Sequence, residues 1–591
     1  MLIDDGLLTK RNDRWEADVE LGGAVIPPSI DALLSARLDR LAPRERAIVQ
    51  RAAVIGRVFG WEAVVRLSPD SERAEVGASL QELMRKELVQ PEADGIGGED
   101  AFRFSHILIR DAAYRGIPKE TRAVVHAGFA TFLEERVGER AAEYDEIIGY
   151  HLEQAYEQRL GLGPVSAVSQ ALRERGRTKL WSAGQRALLR GDLAAGVNLF
   201  ERAMHLGEQG DDDRTEIVSR LASVLLQLGQ LDEADALLEQ AYEQAAALGD
   251  VANATRAAIG REFVRLQTNA DGKTKEAAQV AERAIPLFAE RGDDLGLARA
   301  WRLRSEVDRI ACRFGAKDEA LEQALLHARR SGDEREAAEI RLWLASGLLY
   351  GPTPVRKAIA RCNEMLEESR GVRWMEASGL GILAYLEAML DHTDEARELY
   401  GRTRAIYEEL GMTFAIAARS FIPAGIETMA GNPAGAEQEL LAGYEALEAI
   451  GETELRSTVA ASLAENYASE GRDDEAEEYS RISENIAASD DFGSQILWRG
   501  ARARALARRD GDPAAEELAR EGAALAATTD CLSLHGGALL DLAETLTFLG
   551  RAAETPQLLD EATALFEQKE DLASLRRVAR VASASEAAAT R

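Results

Sequence analysis

A glycine recurs at an almost constant interval along most of this chain, and a small residue usually follows it five positions later. Neighbouring members of the series are 36–43 residues apart. The series consists of Gly191, Gly229, Gly272, Gly315, Gly351, Gly431, Gly471, Gly511 and Gly550, with Asp391 in one place. A period of about 40 residues is typical of stacked helical hairpins. Each hairpin leaves an apolar face that only its neighbour can cover, so the pattern predicts a solenoid whose curved surface serves binding.

The residues around each glycine predict a turn followed by an amphipathic helix. In the first unit Gly191 suits the turn, because glycine adopts positive φ without strain. Gly196, Phe200 and Ala203 then fall on one face of the next helix. The corresponding sets in other units are Ala234, Leu238 and Ala241; Ala277, Ala281 and Ala284; and Ala396, Tyr400 and Thr403.

This spacing resembles the tetratricopeptide repeat, whose second helix carries a similar Ala…Phe…Ala pattern. The observed period exceeds that family's usual length of roughly 34 residues, so the resemblance is to relatives with longer helices. It implies an all-α chain in which about ten hairpins over residues 141–575 form a right-handed superhelical solenoid, with a polar tail at 576–591. Two units lack the small residue, since Arg356 and Glu516 stand in its place.

The charge of the chain narrows the surfaces that it can bind. Its 591 residues carry a formal net charge of −31, whereas phosphate contacts need clustered Lys and Arg. This argues against nucleic acid and against an anionic membrane surface as partners. The start, MLIDDGLLTKRND, lacks the basic and apolar parts of a signal peptide. Three widely spaced cysteines do not form a disulfide framework, so a cytoplasmic location is expected.

The part of the chain before the repeats does not follow the glycine series, and its pattern predicts a second kind of fold. Helices are predicted from Pro27 through Leu38, from Pro43 through Val54 and from Ser71 through Lys86. Two short strands, 88–91 and 102–104, flank a turn rich in glycine and acids. A further helix follows, with Ser105 as its N-cap. Helix, strand, turn and strand in this order predict a winged-helix domain over residues 26–140.

Several stretches of this region resemble the part that follows the ATPase core in bacterial STAND regulators, the signal-transduction ATPases with numerous domains. They read IPPSIDALLSARLDRL, AAVIGRVF, LMRKELVQ and FRFSHILIRDAAYRGIP, and YDEIIGYHLEQAY resembles the family's junction into its repeats. The resemblance is to the adenylate/guanylate cyclase-associated or LuxR-type large regulators. It implies a winged helix followed by tetratricopeptide repeats, in an architecture whose ATPase binds ATP or ADP with Mg²⁺.

The chain departs from that family in its missing ATPase core. The phosphate-binding pattern GxxxxGK[ST] does not occur in the sequence. Residues 1–25 are therefore expected to be a remnant of an ATPase-type region, and no cofactor is expected in this chain. Whether the ATPase was lost or is encoded upstream stays open.

The same resemblance implies a nucleotide-sensing role for His106, with Arg110 one helical turn later as a second cation. In STAND ATPases a winged-helix histidine can touch the nucleotide phosphate and hold the resting state, and a helix N-terminus also favours an anion. The alternative is structural. His106 then caps or packs the helix, and Arg110 pairs with a surface acid such as Asp111 or Glu120.

The remaining candidates for chemistry have simpler interpretations. Residues 272–274 read GKT, but Gln267 stands where a phosphate-binding loop needs glycine, so a turn is expected. The seven histidines lack the spacing of a zinc site, and Cys312 and Cys362 are expected to be buried apolar filler. Acid runs such as Asp490-Asp491 are expected in solvated turns. We therefore expect no metal site and no catalysis in this chain.

Large aromatic residues on the predicted first helices are candidates for a partner-binding groove. First helices line the concave side of tetratricopeptide-like arrays, so a ring there can anchor a peptide or a small ligand. The candidates are Trp301, Trp343, Tyr350, Trp374 and Tyr385. The alternative is that these rings belong to the hairpin cores, since large aromatics are usually buried.

Together these patterns predict a cytoplasmic regulatory or sensor protein. Its solenoid would bind a protein or small-molecule signal and, in the intact system, control a STAND-type ATPase in the same or another chain. One alternative is the carboxy-terminal part of a signalling enzyme, an ATPase or a nucleotide cyclase. Another is a transcriptional activator, although acids around the wing, such as Glu92 and Asp100, would repel DNA.

Overall fold

The structure is built almost wholly from helices. The computed structural model describes residues 8–11, 14–17, 30–93, 100–207, 212–268, 273–368 and 371–589. Within these ranges the chain forms 29 α-helices and five short strands, which confirms the predicted all-α class. The chain divides into two compact units, one made of Met1–Gly184 and Glu201–Glu208, the other of Gln185–Phe200 and Gln209–Arg591.

The first unit combines helices with two small antiparallel sheets. Its strands are β1 (Leu8–Arg11), β2 (Arg14–Ala17), β3 (Val58–Gly60), β4 (Val89–Glu92) and β5 (Ala101–Phe104). Its helices are α1 (Ile30–Asp39), α2 (Pro43–Ile55), α3 (Trp61–Arg66), α4 (Val76–Arg85), α5 (Ile107–Arg115), α6 (Lys119–Val137) and α7 (Asp145–Leu160). β1 pairs with β2, and the second sheet has the order β3-β5-β4.

The three-stranded sheet contains β4 and β5, which the sequence predicts, and β3, which it does not. β4 and β5 pair antiparallel, with Val89 opposite Phe104 and Glu92 opposite Ala101. Residues 94–99 of the predicted acidic turn lie outside the described residues. β3 pairs with the other edge of β5, and its three residues are too few for an alternating pattern to show. The rings of Phe59 and Phe104 are buried with centroids 5.4 Å apart.

α2 begins at Pro43, as predicted, whereas the predicted start of α1 at Pro27 lies outside the described residues. α4 begins at Val76, five residues later than predicted, because Arg73–Glu75 forms a separate 3₁₀ turn. α4 then buries Val76, Leu80 and Leu83 in the core of the unit, which is the apolar face that the spacing predicts.

The second unit is a series of helical hairpins. α8 (Ala167–Leu189) and α9 (Leu193–His205) carry residues of both units. The other helices are α10 (Asp212–Gln227), α11 (Leu231–Ala247), α12 (Val251–Thr268), α13 (Lys273–Arg291), α14 (Asp294–Ile310), α15 (Phe314–Ser331), α16 (Glu334–Tyr350), α17 (Val355–Glu368), α18 (Arg373–Met389), α19 (Thr393–Glu409), α20 (Thr413–Ala418), α21 (Phe421–Met429), α22 (Pro433–Ala449), α23 (Glu454–Glu470), α24 (Asp473–Ile486), α25 (Phe492–Asp510), α26 (Ala514–Ala526), α27 (Leu532–Phe548), α28 (Pro556–Lys569) and α29 (Leu572–Ala589).

These helices pair in chain order, from α10 with α11 to α27 with α28, which confirms the predicted tetratricopeptide-like hairpins. α20 and α21 together serve as one first helix. Pro423 lies at the start of α21 and cannot donate to the carbonyl of Arg419, so the helix breaks at residues 419–420. Residues 576–589, expected to be a polar tail, instead continue α29, with Val578 and Val581 buried.

The turns within hairpins lie where the glycine series predicts them, with two exceptions. Residues with positive φ at these turns include Gly191, Gly229, Asp391, Gly431, Gly471, Gly511 and Gly550. Gly315 instead lies inside α15, and the turn residue there is Cys312, with a φ of 50°. Gly351 ends α16 with a φ of −73°. The prediction of a left-handed turn glycine was therefore wrong at both positions, and Gly272 lies outside the described residues.

A second glycine series marks the turns between hairpins. Gly249, Gly292, Gly332, Gly371, Gly411 and Gly451 all have positive φ. They recur at 39–43 residues, the same interval as the first series. Sequence reasoning missed this series because alanine follows five positions later only at its first and third members.

The buried face of each second helix follows the predicted spacing, but its register depends on the turn. Where the small residue is missing, Val355 and Ala515 are buried one position earlier, and Arg356 lies exposed. Five positions after Cys312 stands Lys317, which is fully buried. The spacing of the buried positions along each second helix is thus kept, although the residues at these positions are not always small or apolar.

Turns within early hairpins touch turns between later hairpins. A Cβ built on Gly191 would meet Leu410 at 2.9 Å, and one on Gly229 would meet Ile450 at 3.2 Å. Further along, the hydroxyl of Thr274 donates a hydrogen bond to Asp490. We call this row of contacts the seam. Its other members are the contacts of Gln267 with Thr453, of Cys312 and Phe314 with Asp530, and of Gly351 with Lys569.

The seam shows that the hairpins wind into a superhelix whose successive turns touch. Its hydrogen-bonded pairs Thr274–Asp490 and Gly351–Lys569 are 216 and 218 residues apart. At a period of about 40 residues, this separation is roughly five and a half hairpins. The acid run at Asp490-Asp491 is therefore not a solvated turn, since Asp490 contacts the seam and Asp491 is 5% exposed.

Candidate functional site

His106 and Arg110 lie at the start of α5, close to the three-stranded sheet. His106, rather than Ser105, is the N-cap, and its Nδ1 accepts a hydrogen bond from the backbone N of Leu108 at 3.2 Å. Arg110 donates to the carbonyl oxygen of Ala53 at 2.9 Å and to Asp111 at 3.0 Å. The geometry thus matches the capping and pairing roles that were the structural alternative.

Two buried histidines that the sequence analysis left without a role meet between α6 and α7. The Nδ1 atoms of His126 and His151 lie 2.8 Å apart, and His126 Nε2 lies 3.0 Å from the hydroxyl of Tyr114. Burial, with the nearby Arg110 and Arg122, lowers the pKa of His126 to about 3. Burial also lowers the pKa of His151. Both rings are therefore neutral at pH 7, and they form a fixed polar link between the two helices.

In the second unit, first helices of non-neighbouring hairpins meet through ion pairs. We use the name inner face for the surface formed where such first helices, for example α10, α14 and α16, face one another. Arg299 of α14 donates to both carboxylate oxygens of Glu216 in α10, each at 2.6 Å. Arg220 of α10 pairs with Asp333, the N-cap of α16. Burial alone would raise the pKa of Glu336, but three arginines around it lower the pKa to about 2.

A second charge network joins α14 to the beginnings of α23 and α25. Arg309 donates to Glu306 at 2.6 Å and to Glu454 at 3.0 Å. Glu452 is fully buried and accepts from two backbone N–H groups of α23, both at 3.0 Å. Burial raises the pKa of Glu452 to about 8 and that of Asp491 to about 6. Protons therefore balance part of the negative charge of this network.

A third network lies where α23, α25, α27 and α29 meet. Arg577 of α29 donates to Asp541 at 2.6 Å and to Glu465 at 3.2 Å. Arg504 of α25 lies 3.2 Å from Glu544. The described inner face is thus covered by its own charged side chains. Removing one member of such a buried pair costs about 3–5 kcal/mol, because its partner is left buried and unpaired.

Four of the five aromatic candidates pack within hydrophobic clusters, and the fifth, Trp374, is buried. Trp301 and Trp343 pack around α15, and Tyr385 packs with residues of α18 and α21. Tyr350 stacks on Phe314 with ring centroids 5.5 Å apart. Trp374 is 6% exposed and lies under the guanidinium of Arg335. The structure therefore does not bring the five rings together into one exposed groove, and a ligand role for any of them stays a prediction.

The cysteines are buried in the second unit. Cys312 and Cys531 share a small cluster with Phe314, and Cys362 lies in the core beside α18. Burial raises the pKa of all three thiols. A protonated, buried thiol is a poor nucleophile. Among the described residues, no helix combines the length and the apolar character needed to cross a membrane.

The sequence matches no protein-family model and none of the curated proteins. Among solved structures, it is similar to a STAND protein with a tetratricopeptide repeat sensor from Pyrococcus horikoshii, at 13% identity and a TM-score of 0.42. That similarity covers 84% of this chain, and the chain spans 65% of the length of the archaeal protein.

Two other solved structures are similar over long stretches. A Rap protein complexed with Competence and Sporulation Factor has 16% identity and a TM-score of 0.44, covering 61% of this chain and 100% of that chain. A chain of the APC/C hetero-tetramer Cut9–Hcn1 has 12% identity and a TM-score of 0.46, covering 80% of this chain and 94% of that chain. At such low similarity, the assignment of the fold rests on the hairpins described above.

Proposed function

We propose that the second unit is a sensor whose inner face exchanges its own ion pairs for those of a charged ligand, either a protein segment or a small molecule. The observation that carries the proposal is the set of buried pairs between distant first helices, such as Arg299–Glu216 and Arg309–Glu454. Buried ion pairs contribute little net stability, because desolvation offsets their attraction. A ligand that supplies equivalent partners can therefore replace them at small cost.

In the intact system, we propose that ligand binding controls a STAND-type ATPase. The control would act through a winged-helix domain in the first unit. The β3-β5-β4 sheet with its surrounding helices supports that domain assignment. His106 is proposed as its nucleotide contact. Its Nδ1 is used by the cap, but Nε2 makes no hydrogen bond to the described residues and lies at a helix N-terminus, where an anion is favoured.

We propose a binding role, without catalysis, for the chain itself. The raised pKa values of the three thiols support this, because they disfavour a cysteine nucleophile. If the chain only binds, adding Mg-ATP to the purified protein leaves its melting temperature unchanged and yields no phosphate. ATP turnover would contradict this part of the proposal.

Binding at the inner face is tested by partner capture with matched variants. Arg299→Ala and Glu216→Gln each remove one member of an inner-face pair. Arg361→Ala is the control, because its side chain is 55% exposed and, among the described residues, pairs with Glu364 of the same helix. A ligand of the inner face binds the wild type and the control and binds the two inner-face variants more weakly. Equal capture by all variants with unchanged helical circular dichroism would exclude the inner face.

A further inference from the structure

We propose that the turn between α18 and α19 binds a Zn²⁺ ion through Glu387, His392 and Glu395. Each residue offers one ligand atom, and the three atoms lie within 4.8 Å of one another. Imidazole nitrogen and carboxylate oxygen are zinc ligands at about 2.0–2.2 Å. Small side-chain rotations therefore bring all three donors onto one ion. The spacing escaped the sequence analysis because it fits no metal motif.

The hairpin turn brings these residues together. α18 ends at Met389, and Asp391 takes a left-handed conformation with a φ of 68°. The chain then folds back, so that the backbone N of His392 donates to the carbonyl oxygen of Glu387 at 3.0 Å. Glu395 follows three residues later in the first turn of α19, and side chains three apart on a helix are neighbours.

The electrostatics of the turn favour a cation. His392 Nδ1 lies 2.7 Å from Glu387 Oε2, and the Glu387 side chain is only 12% exposed. Neither Glu387 nor Glu395 pairs with a lysine or arginine among the described residues. The nearby Arg576 pairs instead with Asp391 at 2.6 Å. The partial positive charge at the N-terminus of α19 opposes a cation weakly. Two carboxylates outweigh that partial charge.

The next hairpin has the same backbone turn with different chemistry. One repeat later in the chain, Glu427, Asn432 and Gly435 take the places of the three proposed ligands. There Asn432 donates to Glu427 at 2.8 Å, and Arg397 also pairs with that carboxylate. The imidazole and the second carboxylate are thus not required by the turn itself. Their presence at one hairpin points to a ligand there.

Zinc is the ion that fits this donor set. Ca²⁺ and Mg²⁺ prefer oxygen ligands only, whereas Zn²⁺ accepts imidazole together with carboxylates. With three side-chain ligands, a fourth position is left for water or for a group from a partner. The ion would fasten the end of α18 to the start of α19.

The test uses the full chain, freed of metal with a chelator and titrated with zinc chloride alone. Calorimetry is expected to show one saturable site, with a rise in melting temperature. His392→Asn copies the residue of the next hairpin and therefore keeps the turn, and Glu395→Gln removes the second carboxylate. Each is expected to weaken zinc binding on the order of 10–100-fold or more.

Asp394→Asn is the matched control, because Asp394 lies in the same turn, is fully exposed and belongs to no ligand set. It is expected to bind zinc as the wild type does. Zinc binding that His392→Asn does not weaken would overturn the proposal, since acids elsewhere on the chain would then hold the ion. The absence of saturable binding to the wild type would overturn it equally.

Discussion

A buried lysine stabilises one helix end from another hairpin. Lys569 is fully buried, and its Nζ donates to the carbonyl oxygens of Leu348, Gly351 and Thr353 at 3.1, 2.6 and 2.9 Å. These carbonyls lie at and beyond the end of α16, where helical partners are lacking. Burial lowers the pKa of Lys569 to about 8, so the side chain is still mostly the charged ammonium at pH 7.

Replacing this lysine tests its importance. Lys569→Met keeps a side chain of similar length but removes three hydrogen bonds. We therefore expect a loss of about 3 kcal/mol in the free energy of unfolding. Urea denaturation measures the loss. Lys357→Met is the control, because Lys357 is exposed in the neighbouring α17, and it should change stability by less than about 0.5 kcal/mol. Equal losses in both variants would contradict the buried role.

Glu452 makes stability depend on pH in a direction opposite to ordinary acid denaturation. Its pKa is about 8 in the folded protein against 4.5 for an unperturbed group, so the folded state retains a proton that the unfolded state releases. The stabilisation is complete below pH 4.5 and is lost as the pH rises through 8, on the order of a few kcal/mol. The wild type should therefore lose more stability than Glu452→Gln between pH 5 and pH 8.5 in thermal melts. Parallel curves would show that Glu452 does not titrate in this range.

At the scale of single elements, a helix is capped by a residue from another turn of the superhelix. The first two backbone N–H groups of α15, those of Phe314 and Gly315, donate to the two carboxylate oxygens of Asp530 at 2.7 Å each. The backbone N of Asp530 in turn donates to the carbonyl oxygen of Cys312 at 3.3 Å. An acid at a helix N-terminus meets both the free N–H groups and the helix dipole.

This long-range cap is tested by Asp530→Asn, which keeps the size of the side chain and removes its charge and one acceptor. We expect a loss of about 1–2 kcal/mol and faster hydrogen exchange at the start of α15. Asp512→Asn is the control, since Asp512 accepts from Ala514 within its own turn. Its effect should stay at the start of α26. Unchanged exchange at α15 in the first variant would mean that the cap does not stabilise that helix.

At the scale of the second unit, contacts between hairpins that are not neighbours come from two surfaces. The seam joins the tips of the hairpins, and the inner face joins their first helices through charge networks. Arg309 is central to the second network, since it contacts Glu306 of its own helix and Glu454 four hairpins later. Neighbouring hairpins pack through apolar residues, whereas hairpins several repeats apart are joined by ion pairs as well as by apolar contacts such as that of Cys312 with Cys531. The spacing between distant hairpins is therefore expected to be more sensitive to charge than the hairpins themselves are.

Arg309→Ala tests that difference. The variant leaves Glu306 and Glu454 without their common partner, so we expect the hairpins of α14 and α23 to move apart and the radius of gyration in X-ray scattering to rise while helical circular dichroism stays constant. Arg481→Ala serves as control, because Arg481 is 66% exposed and pairs only within α24. An unchanged radius in Arg309→Ala would show that the Arg309 network does not set the spacing between distant hairpins.

Single residues show where the sequence alone could not locate the site. The helical face beginning at Ala277 is visible in the sequence because it depends on local spacing, and the structure buries it as predicted. The turn at Cys312 was missed because its contacts come from Asp530, far along the chain. His392 gains its acid partners only when a left-handed residue folds the chain back.

The sequence by itself determined the hairpins and their stacking, because a period of glycines and small residues acts through neighbours in the chain and in the next hairpin. The tertiary structure decided how tightly the superhelix winds, which turn residues form the seam and which charges meet on the inner face. Those contacts join residues such as Gly351 and Lys569, 218 positions apart. No local pattern encodes such a pair, since its energy exists only after the intervening hairpins have set the curvature.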